Sequence, residues 1–379
     1  MSKAPLTEFW MEALLEGNRF SSRYNAGESG NNPQSLRELL SGLQPAFDDN
    51  LSEALSEVLL CDAPNMGTME LREEVAALHP GATADHVLIT TGTSEAFFLL
   101  MRQLRPSRTA VITPAFQLLT EIPRSLGSEV VGLPVIWNEL GQPIPPLKEW
   151  IKTIEEKRPD VLILNHPHNP TGLTFSDDQL NELIAAADAI DCRVIGDEHY
   201  RFLHSTQMLG PTVYAEGRIV TGSFIKCSGT PGLRLGWCVG EPSLLRDMQS
   251  EKNYLTHTVN PISQKLSYWF LNAFSRHQEY FKRLRNDWLT NRSALENWLC
   301  EQSYWLGQAP QGGLVSCVFP AKQHERNLCQ RLNEEGVFLL PLSSFKDQYD
   351  DCSLFLRGFR LGAGLSPKLF KEMLSVMVP

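Results

Sequence analysis

Ser223-Phe224-Ile225-Lys226-Cys227-Ser228-Gly229-Thr230-Pro231-Gly232-Leu233-Arg234-Leu235-Gly236-Trp237 sets one lysine in a run of small and apolar residues, with an arginine after a Gly-Thr-Pro-Gly turn. Apolar crowding and a neighbouring cation both lower a lysine's pKa. A lysine without its proton is a nucleophile that attacks an aldehyde. The arginine fork matches a phosphate. The pair therefore describes a site for an aldehyde that carries a phosphate arm. Alone, the stretch also fits a surface turn with two ordinary basic residues, and the choice rests on what lies upstream.

Upstream, short apolar runs alternate with helical patterns. Strands are predicted at Val87–Thr90, Ala110–Thr113, Val130–Leu133, Val161–Leu164, Cys192–Ile195 and Arg218–Thr221. Between them lie helices at Glu70–Leu78, Ala96–Leu104, from about Phe116, Trp150–Glu156 and Gln179–Ala187. Val161–Leu164 has no polar alternation, which means burial on both faces. Such alternation predicts an α/β fold: a mixed, mostly parallel sheet between two helical layers. After Leu244 the pattern changes to long helical stretches over 261–299. Strands near Gly312–Val318, Val337–Leu340 and Phe359–Gly362 follow, with helices at 324–334 and from Pro367. This predicts a smaller α+β domain. The expected division is an N-terminal helix and arm over 1–40, a large domain over 41–270 and a small domain over 271–379. Apolar residues at Leu6, Phe9, Trp10, Ala13 and Leu14 predict the N-terminal helix over 5–16. Arg23 to Pro33, rich in glycine and asparagine, predicts a loop.

In open α/β sheets, ligands bind at the carboxyl ends of the strands. Three motifs fall there. Gly92-Thr93-Ser94 opens a helix, where free amides and the helix dipole favour an anion; alone it is also a plain helix cap. Asn165-His166-Pro167-His168-Asn169-Pro170-Thr171-Gly172 is a turn that fixes an asparagine amide. Gly196-Asp197-Glu198-His199-Tyr200 puts an aspartate at a strand end, where a buried carboxylate needs a cationic partner. A protonated pyridine nitrogen supplies one, and so does an ordinary salt bridge.

Asn-Pro-Thr-Gly, then Asp-x-x-Tyr, then Ser-x-x-Lys with the later Arg, in this order, resembles the class I/II aminotransferase family of enzymes of fold type I, which depend on pyridoxal 5'-phosphate (PLP). Gly67-Thr68-Met69-Glu70-Leu71-Arg72, Pro310-Gln311-Gly312-Gly313 and Phe359-Arg360-Leu361-Gly362 extend the resemblance over nearly the whole chain. It implies the roles that follow. Lys226 would hold PLP as a Schiff base and shuttle the Cα proton. Asp197 would pair with the pyridine nitrogen. Asn169 and Tyr200 would bond the ring oxygen, and Phe116 would stack on the ring. Gly92, Thr93, Ser94, Ser223 and Arg234 would hold the phosphate. Arg360 would clamp the substrate carboxylate beside the Gly30 loop and Asn169, with Arg357 as a rival for that role. The family is usually a homodimer. A tyrosine common in the family before the Gly-x-x-x-Leu-Arg glycine is missing, with Asp62 and Asn65 in that region. Leu342 replaces a usual glycine of the small domain, and His168 and His199 are unusual neighbours.

The Ser29-Gly30 loop after an aromatic helix, the Asn-His-Pro-His-Asn-Pro-Thr-Gly run and Pro-Gly-Leu-Arg-Leu-Gly-Trp-Cys resemble capreomycidine synthase and related cyclases, which act on hydroxylated arginines. That resemblance implies a guanidino substrate and a mouth with acidic groups. Glu8, Glu28, Asp62 and Tyr24 are the candidates, with Glu8 and Tyr24 favoured; each also reads as an ordinary surface residue. The rival implication is amino transfer to a 2-oxo acid.

Composition bounds the partners. The protein has 379 residues, 42% of them hydrophobic, and a net charge of −10. An acidic protein argues against nucleic acid. No apolar run is long enough to span a bilayer, and the start has no apolar signal core. Eight scattered cysteines without Cys-x-x-Cys spacing read as thiols in a reducing cytoplasm, with no metal site expected.

Overall fold

The computed structural model describes residues 6–215, 217–321, 328–345 and 357–378. Its centre is a seven-stranded sheet. In spatial order the strands are Val87–Thr90, Gly236–Val239, Ile219–Gly222, Arg193–Asp197, Val161–Asn165, Arg108–Thr113 and Glu129–Pro134. All run parallel except Gly236–Val239, which is antiparallel to both neighbours.

Strand residues alternate between two cores, as a pleat of period two requires. Ala110, Ile112, Leu162 and Leu164 face one core, where Trp150 and Ile154 of helix Leu147–Lys157 and Leu180 and Leu183 of helix Asp177–Asp188 cover them. Val111, Val161 and Ile163 face the other, under Phe97 and Leu100 of helix Thr93–Leu104, Leu119 of helix Leu118–Ser125, and Leu245 and Met248 of helix Pro242–Lys252. Two buried faces explain why these strands read as unbroken apolar runs.

Helices Pro261–Arg276 and Glu279–Glu301 carry Trp269, Phe270, Trp288 and Leu295 into a third core. That core reaches a four-stranded antiparallel sheet ordered Trp305–Gly307, Val315–Pro320, Phe359–Gly362, Leu340–Pro341.

The differences from expectation are local. The helical run 261–299 breaks at His277, whose backbone leaves helical angles. The strand expected over 337–340 is two: Val337–Phe338 pairs in parallel with Tyr24–Asn25, and Leu340–Pro341 pairs with Phe359–Gly362. The loop 23–33 therefore contains a strand residue pair. The N-terminal helix runs from Trp10 to Asn18, later than expected over 5–16. Residues 324–327 of the helix expected over 324–334 lie outside the described residues; the remainder contains helix Leu328–Glu334. Among the described residues, no helix is long and apolar enough to cross a membrane.

Candidate active site

Because six of the seven strands are parallel, their carboxyl ends share one edge. Thr90 leads to Gly92, Thr113 to Phe116, Asn165 to Asn169, and Gly222 to Lys226, while Asp197 is itself a last strand residue. Topology thus brings together residues far apart in the sequence.

Lys226 sits in the single helical turn Ile225–Ser228, half-buried. Burial lowers its pKa, and the cations Arg360 and Arg234 push the same way; Glu28 and Glu12 oppose them. Its backbone carbonyl accepts from Asn31 N at 2.8 Å. A Cβ at Gly30 would stand 3.5 Å from Lys226 Cδ, so the arm carrying Gly30 lies along the lysine stem.

Asp197 is buried and well held. Asn165 Nδ2 donates to Oδ2 at 3.1 Å, Thr221 Oγ1 donates to Oδ1 at 3.3 Å, and His199 Nδ1 is 3.1 Å from Oδ1. Among the described residues its ion-pair partner is a histidine, not a lysine or arginine. A buried carboxylate in that state suits a ligand's protonated ring nitrogen. Asn165 also accepts from Asn169 N at 2.7 Å, so one side chain fixes both the aspartate and the asparagine turn.

Arg234 caps the other end. Its guanidinium lies against Gly92, where a Cβ would meet Nη2 at 3.0 Å. Gly92 has φ +83°, a backbone that side chains rarely adopt. Glycine therefore permits both the turn and the close cation. Helix Thr93–Leu104 begins here, with Thr93 half-buried and Ser94 exposed. Amide donors, hydroxyls and an arginine at one helix start fit a phosphate. Ser223 contributes indirectly: its hydroxyl donates to Leu235 O at 2.7 Å and accepts from Ile225 N at 3.2 Å, tying the Lys226 turn to the strand after Arg234.

Arg360, on the central strand of the smaller sheet, is 2% exposed. Nη1 donates to Asn169 Oδ1 at 3.2 Å and Nη2 to Gly27 O at 2.6 Å. Nε has no partner. Burial lowers its pKa, against the pull of Tyr200, Glu28, Cys317 and Glu12. A buried guanidinium on two neutral oxygens, with one orphaned donor, fits an arriving carboxylate. Arg357 is half-buried at the strand's approach.

Tyr200 is fully buried, and its hydroxyl donates to Ser29 O at 2.8 Å. Burial raises its pKa. Phe116 is half-buried, with Phe9 5.4 Å away between ring centroids.

The structure does not bring into this group the two residues favoured for binding the substrate's far end. Tyr24 belongs to the core, its strand pairs with Val337–Phe338, and its hydroxyl reaches Glu372 Oε2 at 3.4 Å. Glu8 is exposed, and its backbone carbonyl accepts from Gln117 Nε2 at 2.7 Å and from Trp10 N at 3.0 Å. Asp62 is also exposed. The acids whose charge acts on Lys226 and Arg360 are instead Glu28 and Glu12. Sequence reasoning also missed Asn165 and Asn31 as site residues. Asn165 lies inside the asparagine-turn motif, as the last residue of a strand, and that position was the available signal.

Comparison with known proteins places this geometry. The model of the family "Aminotransferase class I and II" matches residues 59–375. Capreomycidine synthase from Streptomyces vinaceus is 27% identical over 347 residues, 87% of this protein and 85% of that one. Aspartate aminotransferase from Thermococcus kodakarensis is 26% identical over 300 residues, 79% of this protein and 77% of that one. Among solved structures, a PLP-dependent aminotransferase from Streptococcus suis superposes with a TM-score of 0.85 at 22% identity, over 98% of this protein and 97% of that one. The PLP-dependent cyclase OrfR superposes with a TM-score of 0.81 at 22% identity, over 99% and 98%. The fold is that of fold-type I enzymes, the cofactor is pyridoxal 5'-phosphate, and the chain belongs to the class I and II aminotransferase family.

Proposed function

We propose that this enzyme is a PLP-dependent cyclase. Its substrate is a hydroxylated L-arginine and its product a cyclic guanidine amino acid of the capreomycidine or enduracididine type. The observation that carries the reading is the charge beside the lysine. Glu28 and Glu12 act on both Lys226 and Arg360, with Arg19 as their neutralising partner. The two carboxylates share one guanidinium, so this trio, taken apart from Arg360 and Arg234, keeps a surplus acid, which supports a cationic side chain over a second carboxylate. The similarity to capreomycidine synthase supports the same reading.

When bound, PLP supplies an electron sink for the Cα carbanion. The protein's residues do the rest. Arg234, Thr93, Ser94 and the Gly92 turn hold the phosphate, with Ser223 bracing the turn. Asp197, fixed by Asn165, Thr221 and His199, holds the ring nitrogen in its cationic form. Asn169 and Tyr200 serve the ring oxygen and Phe116 covers the ring. Arg360 binds the α-carboxylate. Lys226, its proton affinity lowered by burial, accepts the Cα proton and later returns it. The bond from the substrate's side-arm carbon to its hydroxyl oxygen then breaks, the hydroxyl leaves as water, and a guanidine nitrogen forms the new C–N bond while losing a proton. No oxidant or second substrate enters. A Cβ hydroxyl gives the capreomycidine-type ring; a Cγ hydroxyl requires a further Cβ deprotonation and gives the five-membered enduracididine type. In this proposal the working unit is a homodimer, supported by the exposed apolar side chains of Leu59, Leu60 and Tyr254.

Holoenzyme incubated with 3-hydroxy-L-arginine or 4-hydroxy-L-arginine, without any 2-oxo acid, should yield a product lighter by one water. Turnover only when a 2-oxo acid is added, with the amine form of the cofactor accumulating in its absence, would establish amino transfer in its place.

A further inference from the structure

We propose that Glu12 and Glu28 form the subsite for the cationic end of the substrate side chain, and that Arg19 is its intramolecular occupant until substrate displaces it. The inference rests on the guanidino-substrate reading above and names the residues that would enforce it.

Arg19 is the first residue beyond helix Trp10–Asn18. Its Nε donates to Glu28 Oε1 at 2.8 Å and its Nη2 to Glu12 Oε1 at 2.7 Å. The helix and the following arm are thus joined by one planar guanidinium held between two carboxylates. A substrate guanidinium presents the same planar donor set. Arg19 is therefore a built-in measure of what the acid pair accepts.

Its position fits a subsite for the far end of the substrate. Glu28 follows Gly27, whose carbonyl takes Arg360 Nη2, and precedes by two residues Gly30, which lies along Lys226. The backbone that bears Glu28 therefore runs from the arginine clamp to the lysine, and the charges of Glu28 and Glu12 act on both. Independently of the acids, Arg360 is buried with Nε unpartnered. A candidate carboxylate clamp together with a carboxylate pair is the complement of an amino acid with a cationic side chain.

Exchange is feasible because the pair faces water. The side chains of Arg19, Glu28 and Glu12 are 35%, 28% and 50% exposed. Each solvent-facing pair of this kind holds its partner by a factor of about five at most. An incoming guanidinium anchored by its own carboxylate on Arg360 competes with Arg19 for the same oxygens.

The test is binding to the PLP-loaded enzyme, followed by calorimetry, with L-arginine as probe and L-norleucine as the uncharged control. Wild type should prefer L-arginine. Arg19→Gln should tighten L-arginine by roughly fivefold and leave L-norleucine unchanged, since it removes a competitor worth about one solvent-facing pair. Glu28→Gln should weaken L-arginine by up to about fivefold, the worth of one solvent-facing ion pair, again sparing L-norleucine. Glu12→Gln should weaken it in the same direction. If wild type prefers L-arginine but Arg19→Gln weakens it or leaves it unchanged, Arg19 is a structural latch and this inference fails while the guanidino reading survives. If wild type shows no preference for L-arginine, both fail.

Discussion

Substituting Arg360 by lysine keeps the charge and removes the planar fork. The guanidinium is 2% exposed, with Nη1 on Asn169, Nη2 on Gly27 and Nε unpartnered. Loss of one member of a buried, hydrogen-bonded ion pair costs about 2–5 kcal/mol of binding. Lysine retains part of the Coulomb attraction but none of the fork geometry. The expected loss is then about 2–3 kcal/mol, roughly 30- to 150-fold in affinity. The substitution also strips an acceptor's partner from Gly27 or Asn169, costing about 1–3 kcal/mol of stability. Melting curves therefore accompany the binding data. The decisive assay truncates both sides of the contact. L-arginine is compared with agmatine, and L-norleucine with pentylamine, on wild type and on Arg360→Lys. Each amine is the amino acid without its carboxylate. Wild type should favour each amino acid over its amine, and the variant should lose most of that preference while binding the amines as before. The cycle isolates the carboxylate–Arg360 contact from general damage. If acid and amine weaken equally, or if the preference persists, Arg360 does not hold the carboxylate, and the half-buried Arg357 becomes the next residue to truncate.

Two further predictions concern the cofactor end. Burial lowers the Lys226 pKa. Between that lowered value and about 10.5, the unfolded protein binds the proton and the folded apoprotein does not, so stability rises with pH across the window. Lys226→Met apoprotein lacks this slope. In urea melts it should be more stable than wild-type apoprotein at pH 7, the two curves meeting as pH nears about 10.5; identical slopes would mean the folded apoprotein keeps the proton. The same variant should bind PLP without covalent attachment. Gly92→Ala should weaken PLP by roughly fivefold, about 1 kcal/mol, because a methyl there pushes on Arg234 Nη2, while the strain at φ +83° lowers stability. Fluorescence titration of the apoprotein measures this, and an unchanged affinity would remove Arg234 from the phosphate site.

Much of the large sheet was legible because its strands are buried on both faces and read as unbroken apolar runs. Gly236–Val239 escaped as a strand. It follows the Arg234 turn directly, with no further turn signal or helix to set it apart, and runs against its neighbours. Residues at strand ends, such as Asp197 and Asn169, could be placed by topology alone. The acidic flank could not. Glu8 and Glu12 lie one helical turn apart, so sequence spacing treats them alike; only the docking of Arg19 onto Glu28 distinguishes Glu12. Tyr24 was misplaced for a related reason. A two-residue strand among glycines and asparagines has no signature until its partner, Val337–Phe338, is seen.

The arm that contains these residues owes its position mostly to backbone. Ala26 O accepts from Gly362 N at 2.7 Å, Gly27 O from Arg360, Ser29 O from Tyr200, and Asn32 N donates to Gly364 O at 2.6 Å. With Asn31 N on Lys226 O, the segment is bonded to the Lys226 turn and to the strand that bears Arg360. Backbone bonds of this kind leave almost no mark on residue choice, beyond the glycines that allow close approach. Their mechanical effect is large. Arg360 and Lys226 come from different sheets, and this one extended segment spans the gap between them. A shift of its register would move Gly27 off Arg360 and Gly30 off Lys226 together. In the proposed function, carboxylate binding and proton transfer are thereby coupled through the arm, and Glu28 is positioned by the same bonds. On the proposed subsite, a change in the substrate's far end falls on Glu28 and Glu12, whose side chains bond Arg19 and take no part in the backbone contacts that join the arm to Arg360 and Lys226.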